Sequence, residues 1–337
     1  MPVMNTAVRF VGPALLLSIA ALLAACGGGG GDGTPAPPPA AAPPSVERDV
    51  LPASTDAAID SDLDVHVAIN PAPAVTAKQR LFVFMPGSFG KPQNVRAIVR
   101  EAAASGLHAI GLNYPNNATV GSLCSGSADA NCHGNVRTEI LTGADTTGLV
   151  SITRANSIEN RLIKLLQALH AQAPAEGWNA YLTSAGQPDW PRIRVAGHSQ
   201  GGGHAGVIAK RYAVDRAIYF SAPADTVAGQ PAAWMSAVGV TPGTRQAGFG
   251  HVHDELVSLA QISAAWQALG VTGPPTSVDG ATAPFGGARQ LTTDAAANPS
   301  GTAQAPLHGS TVVDDVTPRA ADGTPLFAPV WRYLALD

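Results

Sequence analysis

One stretch near the middle of the chain, residues 192–210, constrains the fold more than any other. It starts with the β-branched residues of a short strand, passes through Gly197-His198-Ser199-Gln200-Gly201, and continues into a helix of small residues. A serine fits a tight turn between a strand and a helix only where no Cβ atoms collide across the turn. The stretch therefore predicts a strand, a strained turn with Ser199 at its apex, and a helix packed close to a sheet.

A glycine-rich phosphate loop is the alternative interpretation of this stretch. Its spacing matches neither the Gly-x-Gly-x-x-Gly pattern of dinucleotide-binding turns nor the Lys-Ser/Thr ending of a P-loop. We therefore interpret it as a nucleophile elbow, in which the turn exposes the hydroxyl of Ser199.

Strand-like and helix-like segments alternate along the folded part, residues 46–337, which indicates a single α/β domain with a mostly parallel sheet. The strand at 80–85 is continuously apolar, as expected of a strand buried on both faces. Other strands are predicted at 64–70, 108–113, 217–221, 244–253 and 288–291, and helices at 94–104, 157–171, 257–269 and 329–334. The short connection at 225–244 leaves no room for a large cap domain. A longer excursion at 114–150 would border the crevice and select the substrate.

The composition argues against nucleic acid as a partner. Charged residues make up 13% of the chain and hydrophobic residues 45%, the net charge is −4, and Lys and Arg do not cluster. Such a chain can bury a large core but offers no basic surface for phosphates.

The order of these segments from about Arg80 onward resembles the α/β-hydrolase superfamily. The run from Gly197 to Ala205 is similar to the elbows of secreted bacterial α/β-hydrolases and of cutinase-like polyester-degrading enzymes. The resemblance implies that residues 46–337 are a catalytic domain with an α/β-hydrolase fold. It further implies a serine esterase that cleaves carboxylic esters, small or polymeric, through an acyl-enzyme and without a cofactor. An amidase or peptidase with the same residues, or a surface protein that uses a decayed hydrolase fold for binding, remains an alternative.

The resemblance also implies the partners of Ser199, because a serine hydroxyl needs a base and the base needs an orienting acid. In this fold the chain order is serine, acid, histidine. His308 is the only histidine after residue 253 and lies in a loop after the last predicted strand, so it is the expected base. Asp254, after the strand at 244–253, is the preferred acid, and Asp225, one strand earlier, is the alternative.

The negative charge that develops on the substrate oxygen needs two N–H donors. Gln200, the residue after the nucleophile, supplies one. The family pattern places the other on Ser88 in the loop that follows the strand at 80–85, with Phe89 as the alternative.

Two pairs of residues are of types that commonly bind metal ions. His251 and His253 would share one face of a strand, as zinc ligands could, but a third ligand is missing. Cys124 and Cys132, with His133 beside them, likewise lack further ligands, and in an oxidising compartment a close cysteine pair is most simply a disulfide. We therefore expect a disulfide and no metal ion.

The N-terminus predicts where the protein resides. An apolar run at 10–25 is shorter than the stretch that a transmembrane helix usually needs. The run ends in Leu23-Ala24-Ala25-Cys26, which resembles a bacterial lipobox. The resemblance implies a signal peptide over 1–25, acylation of Cys26, and, with Gly27 as the next residue, anchoring in the outer membrane. Residues 26–45, mostly Gly, Pro and Ala, would form a flexible tether.

Overall fold

A computed structural model describes residues 44–337 of the chain. Its central sheet has nine strands in the order β1-β2-β4-β3-β5-β6-β9-β11-β10. The strands pair in parallel from β4 to β10, whereas β2 runs antiparallel to both β1 and β4. The strands are β1 Val46–Val50, β2 His66–Asn70, β3 Leu81–Met85, β4 His108–Gly111, β5 Ile193–His198, β6 Arg216–Phe220, β7 Thr226–Val227, β8 Gln230–Pro231, β9 Gln246–His251, β10 Thr276–Ser277 and β11 Gln290–Thr293.

Helices cover both faces of this sheet. Helices α4, α5, α6 and α8 pack on one face, and α2 and α10 on the other, which gives two separate apolar cores. The helices are α1 Pro52–Thr55, α2 Arg96–Ala104, α3 Val120–Leu123, α4 Cys132–Thr142, α5 Ile158–Gln172, α6 Gln200–Arg211, α7 Ala233–Ser236, α8 Leu259–Leu269, α9 Pro306–Ser310 and α10 Ala328–Trp331, the last continued by a π-helical turn at Arg332–Leu336.

The predicted fold class is confirmed in its architecture: an α/β domain with a mostly parallel central sheet flanked by helices. Every residue of β3 is buried, as its continuous apolar run predicts. The connection between β6 and β9 holds only the small β7–β8 hairpin and the four-residue α7, so no large cap domain is inserted there. Within residues 44–337, no helix combines the length and apolar character that crossing a membrane requires.

The structure adds detail that the sequence analysis lacked, and it differs at one site residue. The excursion at 114–150 contains α3 and the eleven-residue α4. His308 lies inside the short helix α9 and not in a loop. The charged segment Val46–Val50 forms an edge strand, β1, that the alternation of apolar residues did not reveal. Charged side chains are common on edge strands, where they discourage pairing with other chains.

Candidate active site

Ser199 occupies a strained turn between β5 and α6. Its backbone angles are φ 51° and ψ −118°, a conformation that costs a non-glycine residue about 1–3 kcal/mol. A Cβ atom on Gly197 would lie 2.2 Å from the carbonyl carbon of Gly201, and one on Gly201 would lie 2.1 Å from the carbonyl oxygen of Met85. Only glycine fits at either position, so the glycine frame of the motif is a steric requirement of the turn. This is the strand–turn–helix context that a nucleophile elbow needs.

His308 and Asp254 form a buried hydrogen-bonded pair. Nδ1 of His308 lies 2.9 Å and 2.8 Å from the two carboxylate oxygens of Asp254. The Asp254 side chain is 0% exposed and that of His308 is 6% exposed. A carboxylate only accepts, so Nδ1 carries the proton and Nε2 presents a lone pair. Among the described residues, this buried Nε2 has no hydrogen-bond partner.

The surroundings of Asp254 keep it ionised. Burial by itself raises the pKa of this carboxyl group. The hydrogen bond from His308 and the positive charge of its protonated form, together with the backbone N–H groups of Val257 and Leu256, outweigh burial and leave the pKa below its usual range. Both N–H groups donate to Oδ1 at 2.9 Å. An ionised Asp254 holds the imidazole in one tautomer and stabilises its protonated form.

Three further side chains fix the backbone around His308. The carboxylate of Glu255 accepts hydrogen bonds from the backbone N–H groups of Leu307 (2.9 Å) and His308 (2.7 Å) at the start of α9. On the opposite side, the carbonyl oxygen of His308 accepts from His198 Nε2 (3.0 Å) and from Ser221 Oγ (2.8 Å). His308 is thus held by its side chain, its amide and its carbonyl.

The imidazoles of His198 and His308 bring the elbow and α9 together. Their ring centres lie 4.7 Å apart, and Ser199 follows directly after His198. Burial, reinforced by the charge of His308, lowers the pKa of His198 to about 3, so His198 is a neutral packing and hydrogen-bonding group. No hydrogen bond joins Ser199 Oγ to His308 Nε2 in residues 44–337; such bonds are often long until a substrate is bound.

The loop after β3 lies against the elbow, as the oxyanion hypothesis requires. A Cβ atom on Gly87 would come within 3.2 Å of Ser199 Cβ. The N–H of Phe89 donates to the carbonyl of Asn116 (2.9 Å), which removes Phe89 as a candidate donor. Within the described part of the chain, the backbone N–H groups of Ser88 and Gln200 donate to no other group.

Gln200 connects the elbow to the β3 loop through its side chain and to the excursion at 114–150 through both its side chain and its backbone carbonyl. Its Oε1 accepts from Ser88 Oγ (2.8 Å) and from the N–H of Val120 (3.2 Å), and its backbone carbonyl accepts from Arg137 Nη1 (2.9 Å). The residue after the elbow serine is therefore fixed to the β3 loop and to both helices of the excursion at 114–150.

Asp225, the alternative acid, has other partners. It forms a bidentate ion pair with Arg137 through two contacts of 2.6 Å and accepts a hydrogen bond from Trp234 Nε1 at 2.9 Å. Burial raises the pKa of Asp225, but the charge and hydrogen bonds of Arg137 lower this pKa by a larger amount. The carboxyl group therefore stays ionised. In this structure the hydrogen-bond partner of His308 is Asp254, and Asp225 forms its ion pair with Arg137.

The cysteine pair and the two histidines at the end of β9 lie apart from His308 in the sequence and have partners of their own. Cys124 and Cys132 form a disulfide with their Cα atoms 5.7 Å apart, joining the end of α3 to the start of α4. His251 ends β9 and accepts from the N–H of His253, which lies beyond the strand and faces Asp294 at 3.3 Å. No group of three or more potential metal ligands occurs among residues 44–337. Cys26 and residues 1–43 as a whole lie outside the described part of the chain.

Arg137 and Glu255 are the site residues whose contacts the sequence did not suggest. Arg137 lies on a helix whose polar residues face inward, so no amphipathic pattern marks it. Glu255 adjoins Asp254 in the sequence, and nothing local marks it as an acceptor for backbone N–H groups. Its role as a backbone acceptor depends on the start of α9, which the sequence did not predict.

Comparison with known proteins adds a distant likeness in structure. Neither a protein-family model nor a curated protein sequence matches the chain. Among solved structures, the chain is similar to the crystal structure of TT1662 from Thermus thermophilus, with 14% identity and a TM-score of 0.34 over 68% of this chain and 82% of that chain. The description of the site therefore depends on the geometry of this chain itself.

Proposed function

We propose that the protein is a serine hydrolase that cleaves carboxylic esters through an acyl-enzyme. The observation that supports this most strongly is the state of His308. Its Nδ1 is held by the buried carboxylate of Asp254, its Nε2 has no partner in the described part of the chain, and its ring packs on the residue that precedes Ser199. This is the geometry of a base ready to accept a proton.

In the proposed reaction, Ser199 Oγ attacks the ester carbonyl carbon while Nε2 of His308 takes the hydroxyl proton. The carbonyl oxygen becomes an oxyanion, which the free N–H groups of Ser88 and Gln200 stabilise. Collapse of the tetrahedral intermediate breaks the bond to the alcohol, which leaves with the proton from His308. Water then attacks the acyl-enzyme by the same steps in reverse, releasing the acid and restoring Ser199.

The first experiment compares wild type with Ser199→Ala on p-nitrophenyl esters of increasing acyl length and on peptide substrates. We expect wild type to hydrolyse the esters and Ser199→Ala to lose up to about 10⁶-fold in turnover, as in well-studied triads. The melting temperature should change little. Faster hydrolysis of peptides than of esters would favour a peptidase. Activity of Ser199→Ala within tenfold of wild type would contradict the proposal.

We also propose that the protein is a lipoprotein of the bacterial cell envelope, anchored through Cys26. The support is the lipobox-like sequence before Cys26 and the Gly/Pro/Ala-rich segment after it. Cells that express wild type should incorporate labelled palmitate into the protein, and Cys26→Ser should abolish the label while the domain remains active. Labelling of the Cys26→Ser protein would overturn the anchor.

A further inference from the structure

A cavity of about 420 Å³ lies beside the disulfide, between two segments that border the candidate site. One wall comes from the excursion after β4, and the other from the loop after β6. We call this cavity the disulfide pocket. Its lining includes Gly121, Cys124, Asp129, His133, Ala224 and Thr226.

The sheet order brings the disulfide pocket to the edge that carries Ser199. Strands β3 and β5 lie between β4 and β6, and their ends lead into Gly87 and Ser199. Loops at the carboxyl ends of parallel strands border the crevice of such sheets. In addition, Arg137, one helical turn after His133 on α4, donates to the carbonyl of Gln200 at 2.9 Å. The helix that forms one wall is thus fixed directly to the elbow.

His133 is the unusual side chain in this wall. It is only 5% exposed, its Nδ1 is fully buried, and within residues 44–337 neither ring nitrogen has a hydrogen-bond partner. An imidazole with no hydrogen-bond partner in a nearly buried position costs about 1–3 kcal/mol, and Nε2 is the nitrogen through which a bound molecule could recover part of it. Burial lowers the pKa of His133. The negative charge of Asp225 raises this pKa in part, and the positive charge of Arg137 lowers it. At neutral pH the imidazole is therefore uncharged, and Nε2, the ring nitrogen that is not fully buried, can donate or accept one hydrogen bond according to the tautomer.

The charged groups near His133 already have partners. Asp129 accepts from the N–H of Asn131 (2.8 Å) and from Asn135 Nδ2 (2.9 Å), and Asp225 is paired with Arg137. A neutral imidazole compensates the desolvation of an ionic ligand poorly, but it suits an uncharged hydroxyl group that can both donate and accept.

We propose that the disulfide pocket is a substrate subsite in which His133 hydrogen-bonds a hydroxyl group of the ester. The substrate class is thus a hydroxylated ester, with the hydroxyl on its acyl or its alcohol part. This inference rests on the proposed function, because it assigns a specificity to the reaction at Ser199.

The test compares ethyl butanoate with two hydroxylated relatives, ethyl 3-hydroxybutanoate and 2-hydroxyethyl butanoate. One net hydrogen bond should raise kcat/KM for at least one hydroxylated ester about tenfold over ethyl butanoate in wild type. His133→Leu should bring that ratio to about one and leave kcat/KM for ethyl butanoate within about twofold. His133→Asn, which keeps a donor and an acceptor, should restore part of the preference. His170→Leu, on α5, serves as the matched control and should behave as wild type.

The outcomes separate this inference from the proposed function. Hydrolysis of all three esters without a preference in wild type, or with the same preference in His133→Leu, would overturn the subsite. An equal loss on every ester in His133→Leu would make His133 a structural residue and would also overturn it. If wild type hydrolyses no ester and Ser199 does not react with a fluorophosphonate, the proposed function fails first.

Discussion

At the scale of single residues, the candidate site is organised around His308. Asp254 holds its imidazole, Glu255 its amide, and His198 with Ser221 its carbonyl. Each contact removes a different freedom: rotation of the ring, movement of α9, and displacement of the backbone towards or away from the elbow. Catalytic groups work only within about 0.5 Å of the productive geometry, so this density of contacts suits a general base.

Substitution of Asp254 and of Asp225 tests which of the two is the acid of the proposed reaction. Asp254→Asn should lower turnover by about 10⁴-fold, because the amide can donate to Nδ1 and so favours the wrong tautomer of His308. Asp225→Asn should leave turnover within about tenfold while lowering the melting temperature, since it breaks the pair with Arg137. Ester kinetics and thermal unfolding of both variants provide the check. The reverse pattern would assign the acid to Asp225.

At the scale of secondary-structure elements, α4 links the disulfide to the elbow. Cys132 starts the helix, and Arg137 follows about a turn and a half later on the inward face. The Arg137 guanidinium is so close to α6 that a Cβ atom on Gly203 would lie 2.2 Å from its central carbon. The helix therefore supports the elbow from the side on which the excursion at 114–150 lies.

Removal of the charge that α4 brings into the core should be costly. We expect Arg137→Met to lower the free energy of unfolding by about 3–5 kcal/mol, because it leaves the buried carboxylate of Asp225 without a partner. The double variant Arg137→Met/Asp225→Asn should recover part of this loss, since neither charge then remains. Denaturant unfolding of the single and double variants measures both effects. A double variant less stable than Arg137→Met would show that the ion pair is not the source of the loss.

The elements also show what the sequence could predict. The elbow was predictable because its glycines are a local steric requirement, and His308 because only one histidine follows residue 253. Helix α4 was not, because it buries His133, Arg137 and Glu139 and its pattern is neither amphipathic nor apolar. The partner of Asp225 is Arg137 on that helix. Without the helix, the sequence could not decide whether Asp254 or Asp225 is the acid that pairs with His308.

At the scale of the whole molecule, stability depends on carboxyl groups that respond to pH in opposite directions. Asp254 and Asp225 have lowered pKa values, so the stability they contribute is present above pH about 4 and is lost as the pH falls through their native pKa values. Asp314 behaves oppositely: burial raises its pKa to about 6, although backbone N–H groups of α2 and nearby arginines oppose the rise. Its native form binds a proton more tightly than its unfolded form.

The sign for Asp314 leads to a prediction. Between pH about 4 and 6 the native state holds one proton that the unfolded state releases, so this group lowers the free energy of unfolding as the pH rises, by about 3 kcal/mol in total. Asp314→Asn, which can still accept from the N–H of Ala97, should remove this decline and make the protein more stable at pH 7. Urea unfolding of both proteins at pH 4.5 and 7 tests it. Equal changes in stability between the two pH values would contradict the assignment.

Covalent labelling of Ser199 tests the central claim most directly. The folded, mature protein is treated with a fluorophosphonate, digested, and the labelled peptide is identified by mass spectrometry, with His308→Ala as the variant that lacks the base. The account predicts one label per molecule, on the peptide that contains Ser199, and a rate of labelling at least about 10³-fold lower in His308→Ala. A folded wild-type protein that takes up no label, or takes it up on a different serine, would contradict the account.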